Sequence, residues 1–202
     1  MKNVNFAICC VLGSVLFFPS FAVCASDSLM VKIGEQVPNF VLEGADGNQY
    51  ELEKMNGKVI ILIMGSRKTS ENNDRWVKML QQTFPKDDSL EIFLVFDMRG
   101  IPFFISKGFV RGKVKEKQKE HPVTILMDWG QKVNKLLGAD KDKTDIFAID
   151  PGGVLVSHQV GTYSEKKLRL LRGKIVEILE SDSLKEKETE ESDSSEEKES
   201  DE

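Results

Sequence analysis

The sequence predicts an α/β domain in which a mixed β-sheet is covered by helices. Two continuous apolar runs, Lys58–Met64 and Leu90–Phe96, are typical of central strands buried on both faces. Helical patterns alternate with these strands, and the turn residues Asp150–Gly153 join a late pair of strands as a hairpin. Alternating strands and helices with one late hairpin indicate a sheet that contains parallel and antiparallel strands.

The elements follow one another in the order that such a sheet requires. An N-terminal hairpin, Asn39–Leu42 with Tyr50–Leu52, encloses the turn residues of Glu43–Gln49. After the first apolar run, a helix is predicted at Glu71–Phe84, capped by Thr69 or Ser70. The next predictions are a loop at Met98–Phe104, a basic and partly helical segment at Ile105–Glu120, a strand at Val123–Met127 and a short helix at Gly130–Leu137. Two further strands are predicted at Asp145–Ile149 and Val154–His158. The last element is a helix at Thr162–Leu179 that starts with a Thr162–Glu165 capping box.

The two ends of the chain differ from this core. A signal peptide is predicted at residues 1–25 from Lys2, from an apolar stretch between Phe6 and Val23, and from the small residues Val23 and Ala25 at the −3 and −1 positions. Two alternatives stay open: an uncleaved membrane anchor, and lipid attachment at Cys24. At the other end, residues 181–202 hold 11 acidic residues and 3 lysines. Their net charge of −8 is more negative than the net charge of −5 of the whole chain. Their low apolar content predicts disorder, which leaves residues 30–180 as the folded domain.

Four segments, taken in order, resemble the redoxin (AhpC/TSA/TlpA-like) branch of the thioredoxin-like superfamily. They are Ile33–Phe40, Gly57–Val59, Pro122–Asp128 with Val133 and Gly138, and Phe147–Val154. A closer likeness, to the YtfJ-type periplasmic proteins, rests on Gly65, Arg67, Thr69, Ser70 and Asn73, on Ile101–Pro102 and on Phe109–Arg111. The resemblance implies a thioredoxin-like fold and a periplasmic location.

The chain departs from that family at the residues that perform its chemistry. The resemblance places Lys68 and Glu71 where thioredoxins carry their two cysteines, and Thr144 where the cis-proline or a later arginine is expected. The three cysteines, Cys9, Cys10 and Cys24, all lie in the predicted leader. A serine hydroxyl is too weak an acid to replace a thiolate as a redox nucleophile. No catalytic residue and no cofactor are therefore predicted.

The candidate binding residues lie around the start of the first long helix. Arg67, Lys68, Thr69 and Ser70 place positive charge and hydroxyl groups at a helix N-terminus, which favours anions, and Thr144 is placed opposite them by the resemblance. The simpler interpretation is a solvated loop in which Thr69 or Ser70 only caps the helix. His121 and His158 are too few for a metal site without cysteine, so structural or surface roles are expected for them.

A basic segment, Lys107–Lys119, is the second candidate surface. It suits weak contact with an anionic membrane surface, with the acidic tail or with another acidic surface, whereas a solvated helix face is the simpler interpretation. Nucleic acid is not expected as a partner of an exported protein with an acidic tail.

The function predicted from these features is a non-catalytic, exported protein that binds a peptide or another envelope protein. The alternatives are a thiol-independent or degenerate oxidoreductase or peroxiredoxin-like enzyme, an enzyme that uses a retained Cys24, or a scaffold that presents the acidic tail. The partner and the oligomeric state are left open.

Overall fold

The computed structural model describes residues 30–85 and 88–196, and within them the chain forms seven strands and four α-helices. The strands are β1 (Val41–Gly44), β2 (Gln49–Glu51), β3 (Val59–Gly65), β4 (Leu90–Asp97), β5 (Thr124–Asp128), β6 (Asp145–Ile149) and β7 (Leu155–Val160). The helices are α1 (Ser70–Thr83), α2 (Lys107–Gln118), α3 (Lys132–Leu137) and α4 (Glu165–Glu196). The predicted signal peptide and Cys24 lie outside the described residues.

One sheet contains all seven strands, in the order β2-β1-β5-β4-β3-β6-β7. The three central strands β5, β4 and β3 are parallel, and their carboxyl ends therefore meet at one edge of the sheet. β1 pairs antiparallel with β5, and β6 pairs antiparallel with β3, so each predicted hairpin flanks the parallel centre. The predicted mixed sheet with an N-terminal hairpin is confirmed.

Both faces of the sheet are buried, as the continuous apolar runs predict. Along β3, Ile61 and Ile63 pack with Trp76 and Leu80 of α1 on one face, in a cluster that also includes Leu171 and Ile175 of α4. The alternate β3 residues Ile60 and Leu62 pack on the other face, in a cluster that includes Val133 and Leu137 of α3. Every β3 residue is buried, because helices cover the sheet from both sides.

The caps of two helices differ from the predicted ones. Before α1, the side chain of Ser66 caps a short 3-10 turn at Arg67–Thr69, and Thr69 makes the reciprocal bond, so neither Thr69 nor Ser70 caps α1 itself. At α4, the Oγ of Ser164 accepts the N–H of Lys167 at 3.3 Å, and the helix begins at Glu165. Thr162 therefore lies before the cap. The predicted capping box placed the helix start two residues too early.

The final helix continues past its predicted end at Leu179 and reaches Glu196. Ile178 and Leu179 are still packed against the core. The backbone of residues 181–196 belongs to this helix, and the predicted boundary of the folded domain at residue 180 stays a prediction. Residues 197–202 lie outside the described part of the chain.

Candidate functional site

The turn between β3 and α1 is held by hydrogen bonds among its own residues. The backbone N–H of Ser66 donates to Thr69 Oγ1 at 3.0 Å, and the N–H of Lys68 donates to Ser66 Oγ at 3.2 Å. The hydroxyl of Thr69 donates in turn to the Ser66 carbonyl at 3.1 Å. Both hydroxyl groups are therefore occupied in shaping the turn.

A buried polar network lies beneath this turn and joins α1 to the segments that flank β6 and β7. The Thr144 hydroxyl donates to Asn73 Oδ1 at 2.6 Å and accepts from Asn72 Nδ2 at 2.7 Å. Asn72 also accepts the backbone N–H of Tyr163 at 2.9 Å and donates to the Gly161 carbonyl at 3.2 Å. Because Thr144 is only 1% exposed, its place is within the packing under the turn, away from any ligand above it.

The electrostatics of the turn depend on one exposed ion pair. Lys68 Nζ lies 2.8 Å from Asp142 Oδ1, and this hydrogen bond raises the pKa of Lys68 and lowers the pKa of Asp142. Arg67 beside it is exposed, and its guanidinium has no hydrogen bond or ion pair with another residue of the described chain. Arg67 is thus the cation of the turn that no carboxylate of the described chain neutralises.

The five predicted site residues lie together in space but have different surroundings. Arg67 and Lys68 face solvent, Thr69 and Ser70 are half-buried, and Thr144 is buried below them. Asn72 and Asn73 are central to the network, although the sequence prediction of the site included neither of them. Asparagines inside an apolar helix pattern are the signal that points to such buried partners.

A second polar cluster occupies the carboxyl ends of β4 and β5. Arg99 pairs with Asp97, and its guanidinium also donates to Asn134 Oδ1 at 3.4 Å. Asn134 in turn donates to Asp128 Oδ2 at 2.8 Å. The aspartates that end the two strands are the sequence signal for this cluster. Since Asp128 and Asn134 are buried, the cluster holds the strand ends and the start of α3 in place.

The histidines are separate from the turn and from each other. His158 Nε2 lies 2.8 Å from Asp145 Oδ1, and its ring stacks on Phe147 with centroids 4.2 Å apart. His121 is largely buried beside Asp74, and burial lowers the pKa of its ring. Within residues 30–85 and 88–196, no group of three or more His, Cys, Asp or Glu side chains is placed to hold a metal ion. No helix in this described part combines the length and apolarity that crossing a bilayer needs.

Solved structures with the same architecture include proteins that carry the names of disulfide isomerases, thiol:disulfide interchange proteins and peroxiredoxin-like proteins. A protein from Bacteroides thetaiotaomicron assigned as a protein disulfide isomerase has a TM-score of 0.58 and 22% identity, covering 74% of this chain and 91% of its own. A peroxiredoxin-like protein from Aquifex aeolicus has a TM-score of 0.54 and 15% identity, covering 74% and 89%. The fold of this chain is thioredoxin-like. A protein from Chlorobium tepidum assigned as the thiol:disulfide interchange protein DsbE has a TM-score of 0.55 and 18% identity, covering 74% and 99%.

At these identities the likeness shows the fold alone. No known family profile and no curated protein sequence matches this chain. The thioredoxin-like fold agrees with the fold that the resemblance of the sequence motifs implies. The activity must therefore be argued from the residues of this chain rather than from those of its structural neighbours.

Proposed function

We propose that this chain is a non-catalytic binding protein of the cell envelope that uses a thioredoxin-like scaffold for recognition. The observation that carries the proposal is the composition and bonding of the β3–α1 turn. Where the resemblance places two cysteines, the chain has Lys68 and Glu71, and residues 25–202 contain no cysteine. Thiol–disulfide exchange and peroxide reduction both need a thiolate as the attacking group.

The hydroxyl groups of the turn do not replace the missing thiol. Ser66 and Thr69 already use theirs to cap the turn. The described histidines are both placed elsewhere, with His158 paired to Asp145 and His121 beside Asp74. A serine or threonine acts as a nucleophile only when a general base activates it. The geometry thus supports binding over covalent chemistry at this turn.

The turn offers features suited to a peptide or protein partner that carries a carboxylate. Arg67 is exposed above the first turn of α1, where the helix dipole adds positive potential. Lys68 and Asp142 form a pair that a partner's carboxylate can compete for, because both members are exposed. The buried network of Asn72, Asn73 and Thr144 keeps the turn rigid, which lowers the entropy lost on binding.

Export to the periplasm is part of the same proposal. The predicted leader at residues 1–25 and the likeness to YtfJ-type periplasmic proteins support it. Cleavage after Ala25 would also remove all three cysteines. Intact mass of the protein isolated from the envelope, with a thiol titration, measures whether Cys24 is retained, and the expected thiol content is zero.

The test is crosslinking of the protein in its own envelope, followed by capture. We expect Arg67→Ala with Lys68→Ala to lower recovery of the crosslinked partner by about tenfold, since removing a charged hydrogen-bonding group from an interface costs on this order. Lys166→Ala with Arg169→Ala is the matched control, because these exposed cations lie on α4. Equal recovery in both variants would contradict the proposed surface. Insulin reduction or peroxide removal by the thiol-free chain would instead establish an oxidoreductase.

A further inference from the structure

Three phenylalanines protrude from the loop after β4 and the start of α2. Phe103 is 101% exposed, Phe104 76% and Phe109 60%. Within residues 30–85 and 88–196, the exposed phenylalanines all lie in this segment, whereas Phe40, Phe93 and Phe147 are buried in the core. We call Phe103, Phe104 and Phe109 the aromatic cluster.

This exposure is unfavourable in water and is not relieved by the domain itself. The rings of Phe103 and Phe104 touch edge to face, with centroids 5.8 Å apart, but each remains open to solvent. Grouped apolar side chains on a surface mark a site where another apolar phase covers them. Fully exposed aromatic side chains protrude from the protein surface, so they are suited to insert into whatever covers them. They do not form a groove that would receive a ligand.

Helix α2 places positive charge directly beside the aromatic cluster. The basic residues of the segment are Lys107, Arg111, Lys113, Lys115, Lys117 and Lys119. Among the side chains described, Lys107, Lys115 and Lys119 are exposed and lie in no salt bridge with a carboxylate. The first turn of α2 contains no acidic residue, so the positive end of the helix dipole is not neutralised.

The helix is fixed to the sheet, which holds the aromatic cluster outward. The guanidinium of Arg111 pairs with Glu43 of β1 through two nitrogens, and Trp129 Nε1 donates to the same carboxylate at 3.1 Å. Val114 is buried on the inner face of α2. Lys107 Nζ also lies 5.4 Å from the centroid of the Trp129 ring, whereas Lys115, Lys119 and the aromatic cluster are left for an external surface.

We propose that the aromatic cluster and the exposed lysines of α2 and its C-cap residue dock the protein on an anionic lipid bilayer. The phenyl rings insert at the boundary between headgroups and acyl chains, and Lys107, Lys115 and Lys119 contact anionic headgroups. Protruding aromatic side chains next to unpaired basic residues are the combination that interfacial membrane binding uses. Charge complementarity favours the bilayer, because anionic headgroups supply the negative charge that Lys107, Lys115 and Lys119 lack within the described domain.

This docking uses no residue of the β3–α1 turn. Either the lipid docking or the proposed partner binding can therefore be contradicted without affecting the other. Flotation with vesicles of phosphatidylethanolamine and phosphatidylglycerol measures it, with phosphatidylcholine vesicles as the neutral comparison. We expect Phe103→Ser with Phe104→Ser to lower partitioning at least about tenfold. Lys107→Gln, Lys115→Gln and Lys119→Gln should each lower it about fivefold, and added salt should lower it further. Leu170→Ser, an exposed apolar position on α4, is the control and should partition as the unchanged chain does.

A position-specific readout separates this docking from any binding by the leader. Phe103→Trp should show fluorescence quenching by brominated lipids beyond that of the unchanged chain, and Leu170→Trp should not. Partitioning that the phenylalanine and lysine substitutions leave unchanged would overturn the proposal. The absence of quenching at position 103 would also overturn the proposal. Binding of the aromatic cluster to another protein, while the chain shows no affinity for vesicles, would overturn it too.

Discussion

Gly65 ends β3 at the point where the chain turns into α1, and its missing side chain sets the packing of the candidate site. A Cβ built on Gly65 would lie 2.5 Å from Asn73 Nδ2 and would also overlap the Thr69 hydroxyl. Asn73 is fully buried and holds Thr144, so it has no room to move aside. The packing of the polar network and of the turn therefore depends on the absence of a Cβ at residue 65.

Gly65→Ala is expected to lower the free energy of unfolding by about 1–3 kcal/mol, because overpacking forces the buried network apart. Gly108→Ala is the matched control. No heavy atom lies within 4 Å of its built Cβ, and it is inside α2, so the change should raise stability by about 0.5–1 kcal/mol. Urea denaturation of both variants measures the difference, and equal effects of the two changes would refute the packing argument.

Thr144 shows how the role of a residue depends on what surrounds it. The resemblance placed it opposite the turn, where relatives of this fold have a residue that faces the reacting thiol. In the structure its hydroxyl lies between Asn72 and Asn73, and only its neighbours contact it. Any part that Thr144 has in binding is exerted through the position of α1.

At the scale of elements, the start of α4 distinguishes two capping schemes that the sequence allows equally well. Thr162 and Ser164 both have side chains that cap helices, and Glu165 has the spacing of a capping box from Thr162. In the structure, the side chain of Glu165 accepts the hydroxyl of Tyr163 instead, and Ser164 caps Lys167. Tyr163 is packed in the core beside Trp76, which sets where the helix begins.

Ser164→Ala should therefore destabilise the protein by about 0.5–2 kcal/mol, the usual cost of removing an N-cap side chain. Thr162→Ala, two residues away and exposed, should change stability by less than about 0.5 kcal/mol. Thermal and chemical denaturation of the two variants compares the two schemes. A larger loss in Thr162→Ala than in Ser164→Ala would restore the capping box that the sequence predicts.

In the whole molecule, the acidic segment (residues 181–202) lies beyond the core contacts that stabilise the packed domain, although α4 contains parts of both. Leu171 and Ile175 are fully buried against the sheet, and the last core contacts of α4 in the described side chains are at Ile178 and Leu179. Residues 181–202 have a net charge of −8, whereas residues 1–180 have a net charge of +3. Charge of opposite sign thus lies on the domain and on the segment that follows it.

Deletion of residues 181–202 should change the free energy of unfolding by less than about 0.5 kcal/mol, because the deleted part lies beyond these core contacts. Far-UV circular dichroism should show a smaller helical signal. Leu171→Ala is the comparison and should cost about 2–5 kcal/mol, as expected for a large buried side chain. A loss of stability on deletion close to that of Leu171→Ala would show that the acidic segment packs on the domain.

Much of the fold could be predicted from local patterns in the sequence. The β3 and β4 runs are apolar throughout, and that pattern arises directly from burial on both faces. The residues of α1 that pack on the sheet recur at helical spacing, and Pro85 follows the end of the helix. Because these properties depend on neighbours in sequence, the class of the sheet and the order of the elements can be predicted without a structure, and the absence of cysteine after residue 24 is evident from the sequence.

The tertiary structure alone decided which polar groups meet. Asn72 and Thr144 are 72 residues apart, and Glu43 and Arg111 are 68 apart, so no local pattern connects them. It also decided that Phe103, Phe104 and Phe109 face outward, although phenylalanine is as apolar as the residues of a buried strand. The physical reason is that burial and hydrogen bonding are properties of the space around a residue, and that space is filled by segments distant in the chain.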